Sequence, residues 1–214
     1  MVPLQKTPHE VLQEDLDHLA FSILENSYKK VSIEKIDIKE DLKEGVTDIK
    51  CVLLIGKEEI PVSGRGRGMV DALFTALLEE VKKKYSSLNN IELLDFAIEA
   101  DFRRKRIKKK INSDVEVETR LLLKGSDSDR FIFRHHHTSM ITSAAVVVTK
   151  VIEYFINSEE AVISLYKSII DAEKRNRGDL VSTFTLQLSE LVKNVSYEER
   201  LKTLSEGFMS EEVD

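Results

Sequence analysis

The chain has 214 residues, 42% of them hydrophobic and 33% charged, and 32 basic against 38 acidic side chains leave a net charge of -6. That length holds one domain with an extension, or two small ones, and can bury a core without staples. Three prolines, eight glycines and one cysteine exclude collagen-like or linker-rich architecture and an intramolecular disulfide, and the near-balanced charge argues against global steering toward nucleic acid or anionic membrane. The sequence has no run of 18 apolar residues and no basic segment leading into an apolar one, so it reads as a cytoplasmic protein with no membrane partner.

The first element is a helix over about Pro8 to Asn26. Thr7 can cap it, Pro8 fits its first position, and Glu10 stands where a capping box needs it. Leu12, Leu16, Leu19, Ala20, Ile23 and Leu24 share its inner face. The period then changes to that of strands. Ile33, Ile36 and Ile38 mark the first strand, Ile49 and Val52 to Ile55 the second, and Glu59 to Val62 the third after Gly56-Lys57. A glycine-rich turn, Gly64 to Gly68, leads into a helix carrying Val70, Leu73, Phe74, Leu77, Leu78 and Val81, up to about Tyr85.

The same order then repeats. Ile91 to Ile98 forms a strand, Val115 to Leu123 another, Gly125 to Ser128 a turn, and Phe131 to Phe133 a third strand. A helix over 138–156 follows. A shift of 71 positions lays Glu58 to Val62 over Asp129 to Phe133 and Met69-Val70 over Met140-Ile141. Two βββα halves predict a pseudo-twofold α+β domain, (βββα)2, with sheets on one side and helices on the other. After Asn157 the pattern is helical. Ser158 can cap one helix that ends at Lys174-Arg175 before Gly178, and Asp179 can cap a second. Ser196 and Glu199 form a capping box for a short third helix ending near Gly207. The chain therefore divides into an N-terminal helix over 1–29, the duplicated domain over 30–157, and a helical extension with an acidic tail over 158–214.

At the first glycine turn, Gly66-x-Gly68-x-Val70-Asp71-Ala72-Leu73 resembles the Gly-x-Gly-Pro-Val-Asp-Ala signature of the C-terminal allosteric, dimer-forming domain of 2-isopropylmalate synthase. Citramalate and homocitrate-type synthases share that domain. Leu94-Asp95-Phe96 resembles the family's Asp-Tyr segment, and the duplicated order is the family's own. Met69 stands where the family has proline. In the second half His135-His136-His137-Thr138-Ser139 to Ala144 replaces the family's Gly-x-Ser-x-Asn/Asp pattern but keeps the small Ser143 and Ala144. The synthases carry a (β/α)8 catalytic barrel of about 250 residues ahead of this domain, and too few residues precede Val31 to hold one. The resemblance thus implies a regulatory domain without the barrel, its metal site or its acetyl-coenzyme A chemistry: not an enzyme.

The residues themselves offer several sites. Gly64 to Gly68 leads into a helix N-terminus, where free N–H groups and the positive helix end suit a carboxylate or phosphate. Asp71 in the first turn would repel an anion unless it takes the ligand's ammonium, so a zwitterion fits best. The candidate ligand set is Gly66, Gly68, Asp71, Ala72, His137 and Ser139. A solvated turn is the alternative reading. His135 and His137 share one side of an extended segment, as zinc ligands would. Only Asp127 and Asp129 lie near enough in sequence to join them, so the reading takes no metal and no cofactor. Shaping a second, pH-sensitive ligand loop is their expected role. Arg103 to Lys110 reads as a solvated basic arm without the aromatic interleaving of a nucleic-acid site. Cys51 reads as a core thiol, and the acidic end Glu211 to Asp214 as chance. Three functions remain open, in this order: a homodimeric effector-binding module for a small amino acid or 2-oxo acid such as leucine, a structural protein that kept the fold, lost the pocket and holds a protein partner through its helices, and an enzyme with an unrecognised site.

Overall fold

The computed structural model describes residues 8–101, 115–125 and 130–192. Its elements, in chain order, are α1 (Pro8–Leu24), β1 (Val31–Asp41), β2 (Val46–Ile55), β3 (Glu58–Gly66), α2 (Met69–Val81), β4 (Glu92–Asp101), β5 (Glu116–Lys124), β6 (Arg130–His137), α3 (Met140–Lys174) and α4 (Gly178–Val192). Two three-stranded antiparallel sheets, ordered β1-β2-β3 and β4-β5-β6, are each followed by a helix. The fold is α+β and duplicated, as the repeat predicts. Thr7, the turn from Ser126 on, the basic arm, the capping box at Ser196 and the acidic end lie outside the described residues.

The duplication extends to an irregularity that the sequence does not announce. β1 carries a bulge between Ile33 and Ile36, and β4 carries one between Leu93 and Asp95. Each inserts one extra residue, and the preceding pairs, Ile33 with Leu53 and Leu93 with Leu123, correspond between halves. A bulge raises the local twist and bends its strand, so both sheets curve at matching places. Alternation then decides the faces. In β2, Thr47, Ile49, Cys51, Leu53 and Ile55 are buried while Asp48, Lys50 and Val52 are exposed. In the second sheet Thr119, Leu121, Leu123, Phe131 and Phe133 are buried.

α2 and α3 close the core. Val70, Leu73, Leu77 and Val81 of α2 are buried, as are Ala144, Val148, Ile152, Phe155 and Ile156 of α3. Phe155 meets Phe131 edge-on at 5.1 Å between ring centres. α3 is long and apolar enough, by length and composition, to cross a membrane, but 67% of the apolar stretch is buried inside the protein. Burial of that kind is what a core helix requires.

Three sequence expectations are corrected. The helix expected to end near Asn157, with Ser158 capping the next, is one unbroken helix, α3. Asn and Ser favour helix ends because their side chains compete for backbone groups. Here the Asn157 amide is occupied elsewhere: Oδ1 accepts from the Lys29 N–H at 2.8 Å, and Nδ2 donates to the Lys29 and Glu153 carbonyls at 2.9 and 2.8 Å. Gly178 does not stop α3. Asn176, at φ 55°, takes the left-handed position, and the Arg177 N–H donates back to the Ala172 carbonyl at 2.9 Å. Gly178 instead opens α4, so Asp179 lies in its first turn, where the Arg177 guanidinium grips both oxygens and pulls the carboxyl down to about 2. Finally, α2 ends at Val81, and a short 3-10 turn, Ser86–Leu88, follows. The buried Glu159 of α3 anchors that turn by accepting the Ser87 N–H at 2.8 Å.

Candidate functional site

The first glycine segment is not wholly a turn. Gly64 and Gly66 belong to β3, where Gly64 pairs with Ile49 and Gly66 with Thr47. Their missing side chains are filled by α2. A Cβ on Gly66 would stand 2.7 Å from both N and Cα of Ala72, and one on Gly64 would overlap the Ala76 Cβ. Glycine at these positions lets a helix backbone press onto a strand. Gly68, at φ 86°, makes the turn and serves as the N-cap of α2, where no side chain caps the helix. Asp71 folds back, and its Oδ2 accepts the Arg67 N–H at 2.8 Å. Ala72 is fully buried. Gly66, Gly68, Asp71 and Ala72 therefore form one compact cluster where β3 meets α2.

The second half solves the same junction differently. The histidine run expected to shape a loop lies within β6, which continues to His137. His135 and His137 do share a side, with their rings stacked at 6.4 Å between centres. His136 points the other way and stands 3.6 Å from Glu118. Burial pushes His135 below the ordinary imidazole value, and the charges of Lys150, His137 and His136 push it further. The Ser139 N–H donates to His137 Nδ1 at 2.9 Å, while Ser139 Oγ accepts from the Thr142 N–H at 3.3 Å as the N-cap of α3. Ser143 stands at the place of Ala72. Its hydroxyl donates to the His135 carbonyl at 2.8 Å. One helix start is thus held by close backbone approach, the other by a hydroxyl bond.

The structure brings His137 and Ser139 into contact, and it brings Gly66 against Asp71 and Ala72. Among the described residues no hydrogen bond joins the two clusters. Sequence reasoning missed two threonines. Thr47, opposite Gly66, and Thr119, opposite His135, are fully buried, and among the described residues neither hydroxyl has a hydrogen-bond partner. A polar residue at an inward-facing register position is the signal that marks them, since buried hydroxyls are ordinarily bonded. Cys51 is buried in β2, and burial pushes its thiol up. Among the described residues no group of three or more His, Cys, Asp or Glu is placed to hold a metal.

No curated protein matches the chain. The family model described as the LeuA allosteric (dimerisation) domain matches residues 10–156. That span runs from α1 through both βββα units and most of the core-forming part of α3, well over half of the chain. It describes a regulatory domain and not a catalytic one. The duplicated sheets, the glycine-to-helix junction and this match together place the chain in the LeuA allosteric (dimerisation) domain family.

Proposed function

We propose that the chain is a non-catalytic regulatory module that pairs with a second copy of itself and binds a small amino acid or 2-oxo acid, leucine or a close analogue. The observation that carries this reading is the start of α2, where Gly68 provides no side-chain cap and a positive φ turns the backbone. First-turn N–H groups at such an end suit a carboxylate. Asp71 in the same turn supplies a negative charge for the ligand's ammonium, exchanging its bond to the Arg67 N–H for the ligand. His137 and Ser139 would add polar contacts from the second helix start, with pairing of two chains closing the cavity.

The test is a thermal-shift screen with the twenty amino acids and several 2-oxo acids, followed by calorimetry. A ligand present at 100 times its dissociation constant adds about 2.7 kcal/mol of stability. For an amino-acid ligand, Asp71→Ala is expected to lose about 1.5–3 kcal/mol of binding, the usual net worth of a hydrogen bond to a charged group. If nothing binds more tightly than millimolar, or if that variant binds as wild type does, the site is wrong. The structural reading, partner binding through the helices, then takes its place. Pairing is checked by light scattering, where a lone 24.5 kDa species at micromolar concentration counts against it. The regulatory reading also expects no metal-dependent release of coenzyme A from acetyl-coenzyme A and 2-oxoisovalerate.

A further inference from the structure

We propose that His137 is a proton-operated latch on the start of α3, closed while its ring is neutral and opened when the ring is protonated. The closed state is visible in the geometry. Nδ1 of His137 accepts the Ser139 N–H at 2.9 Å, so that nitrogen carries no proton and the neutral ring holds its hydrogen on Nε2. Ser139 in turn caps α3 by accepting the Thr142 N–H. The imidazole therefore holds the residue that holds the helix. Protonation places a hydrogen on Nδ1, and both ring nitrogens become donors. The Ser139 N–H then faces a donor and must let go.

The surroundings favour opening once the proton arrives. The ring sits at the positive end of a 35-residue helix. His135 stacks on it from the same strand, and Lys150 of α3 reaches toward β6 to donate to the Arg134 carbonyl at 3.3 Å. From β5, Val117 and Thr119 are the register partners of His137 and His135. Glu118 of β5 lies on the opposite face, against Arg134 and His136, and so does not neutralise the new cation. Burial and Lys150 hold His135 below the usual imidazole value. An opened latch exposes a backbone donor beside a cation at the start of α3, next to the exposed Met140 and Ile141. The first half has no counterpart, because Gly66 occupies the place of His137. The latch is a property of the ligand-free chain; it shares His137 and Ser139 with the ligand reading above but does not involve the α2 end that carries that reading.

Nitrogen-15 spectroscopy of the histidine rings, with amide exchange at Ser139, tests it on the full chain without ligand. At about pH 8 the His137 ring is expected as the Nε2–H form, and on acidification to the point where the ring spectra report both nitrogens protonated, the protection factor of the Ser139 amide is expected to fall about tenfold. His137→Asn, whose Oδ1 takes the position of Nδ1 but cannot titrate, should keep that amide protected throughout. A His137 ring found as the Nδ1–H form at about pH 8 overturns the proposal. So does a Ser139 protection factor that stays constant in the wild type, or one that changes equally in His137→Asn. Each of these outcomes leaves ligand binding at α2 untouched, so the two readings fail separately.

Discussion

At the scale of single residues, the glycines of β3 show how one missing atom sets a packing distance. Gly66→Ala would drive a Cβ into the backbone of Ala72, and backbone cannot swing aside as a flexible side chain does. Overpacking of this kind costs about 1–3 kcal/mol, measurable as a lower urea midpoint. Gly64→Ala meets a side-chain atom instead, the Cβ of Ala76. Removing that atom should relieve it, so Gly64→Ala/Ala76→Gly is expected to be more stable than the sum of the two single changes. A double-mutant cycle reads this as a coupling energy. Additive effects would show that the two atoms do not compete. Asp17 makes a pH prediction of definite sign. Its carboxyl accepts the Tyr28 hydroxyl at 3.0 Å, but burial, the largest influence, pushes its pKa above the ordinary carboxylate value of 3.8, and Glu153 adds to the shift. The folded chain therefore holds this proton more tightly than the unfolded chain. Its contribution to stability is greatest below that value and is lost as the pH rises through the raised one. Relative to Asp17→Asn, wild type should be most stable below this acid window and lose ground as the pH rises through it, staying apart above it; a stability difference that does not change with pH would refute the assignment.

At the scale of elements, α3 carries the most. It extends past Asn157 because a neighbouring chain segment satisfies that side chain, not because the local sequence prefers helix there. The Asn157 amide and the Glu153 carboxylate, which accepts the Val31 N–H at 2.8 Å, tie the start of β1 to the second half's helix. Asn157→Ala would leave the Lys29 N–H and carbonyl without these partners. A loss of about 2 kcal/mol is expected, which for a chain of this size lowers the melting temperature by several degrees. A melting temperature within a degree of wild type would show that water replaces the amide without cost. The six strands and the main helices were legible because period and burial coincide in them: Thr47 to Ile55 alternates, and α2 repeats at helical spacing. The ends of elements were less legible. Ser158, Gly178 and Gly64 all look like punctuation in one dimension; contacts from other elements overrule the first and the last, and Asn176, which takes the left-handed position two residues earlier, overrules Gly178.

At the scale of the whole molecule, the halves do not behave as beads on a string. α3 packs on β1 as well as on β5 and β6, and Glu159 of α3 holds the turn that follows α2. Unfolding should therefore be a single transition, with tyrosine fluorescence and far-ultraviolet circular dichroism giving coincident curves in urea. Two separated midpoints would mean that each βββα unit folds by itself.

The sequence by itself determined the duplication, the α+β class and the family. The first two rest on hydrophobic periodicity and on an internal comparison of the chain with itself, which need no knowledge of neighbours in space, and the family rests on the resemblance of the Gly66 to Leu73 motif and the family-model match. It also marked the residues around both helix starts, because Gly66, Gly68 and Asp71 form a local pattern and His135 and His137 share a side by strand alternation alone. Only the tertiary structure decided what those residues do. Gly66 is empty because α2 fills the space, Asp71 turns back onto the Arg67 N–H, and His137 accepts a hydrogen bond from the helix that it precedes. Each of these depends on which backbone arrives at the side chain and from what direction. That is fixed by the packing of two sheets and a long helix, and not by the spacing of letters.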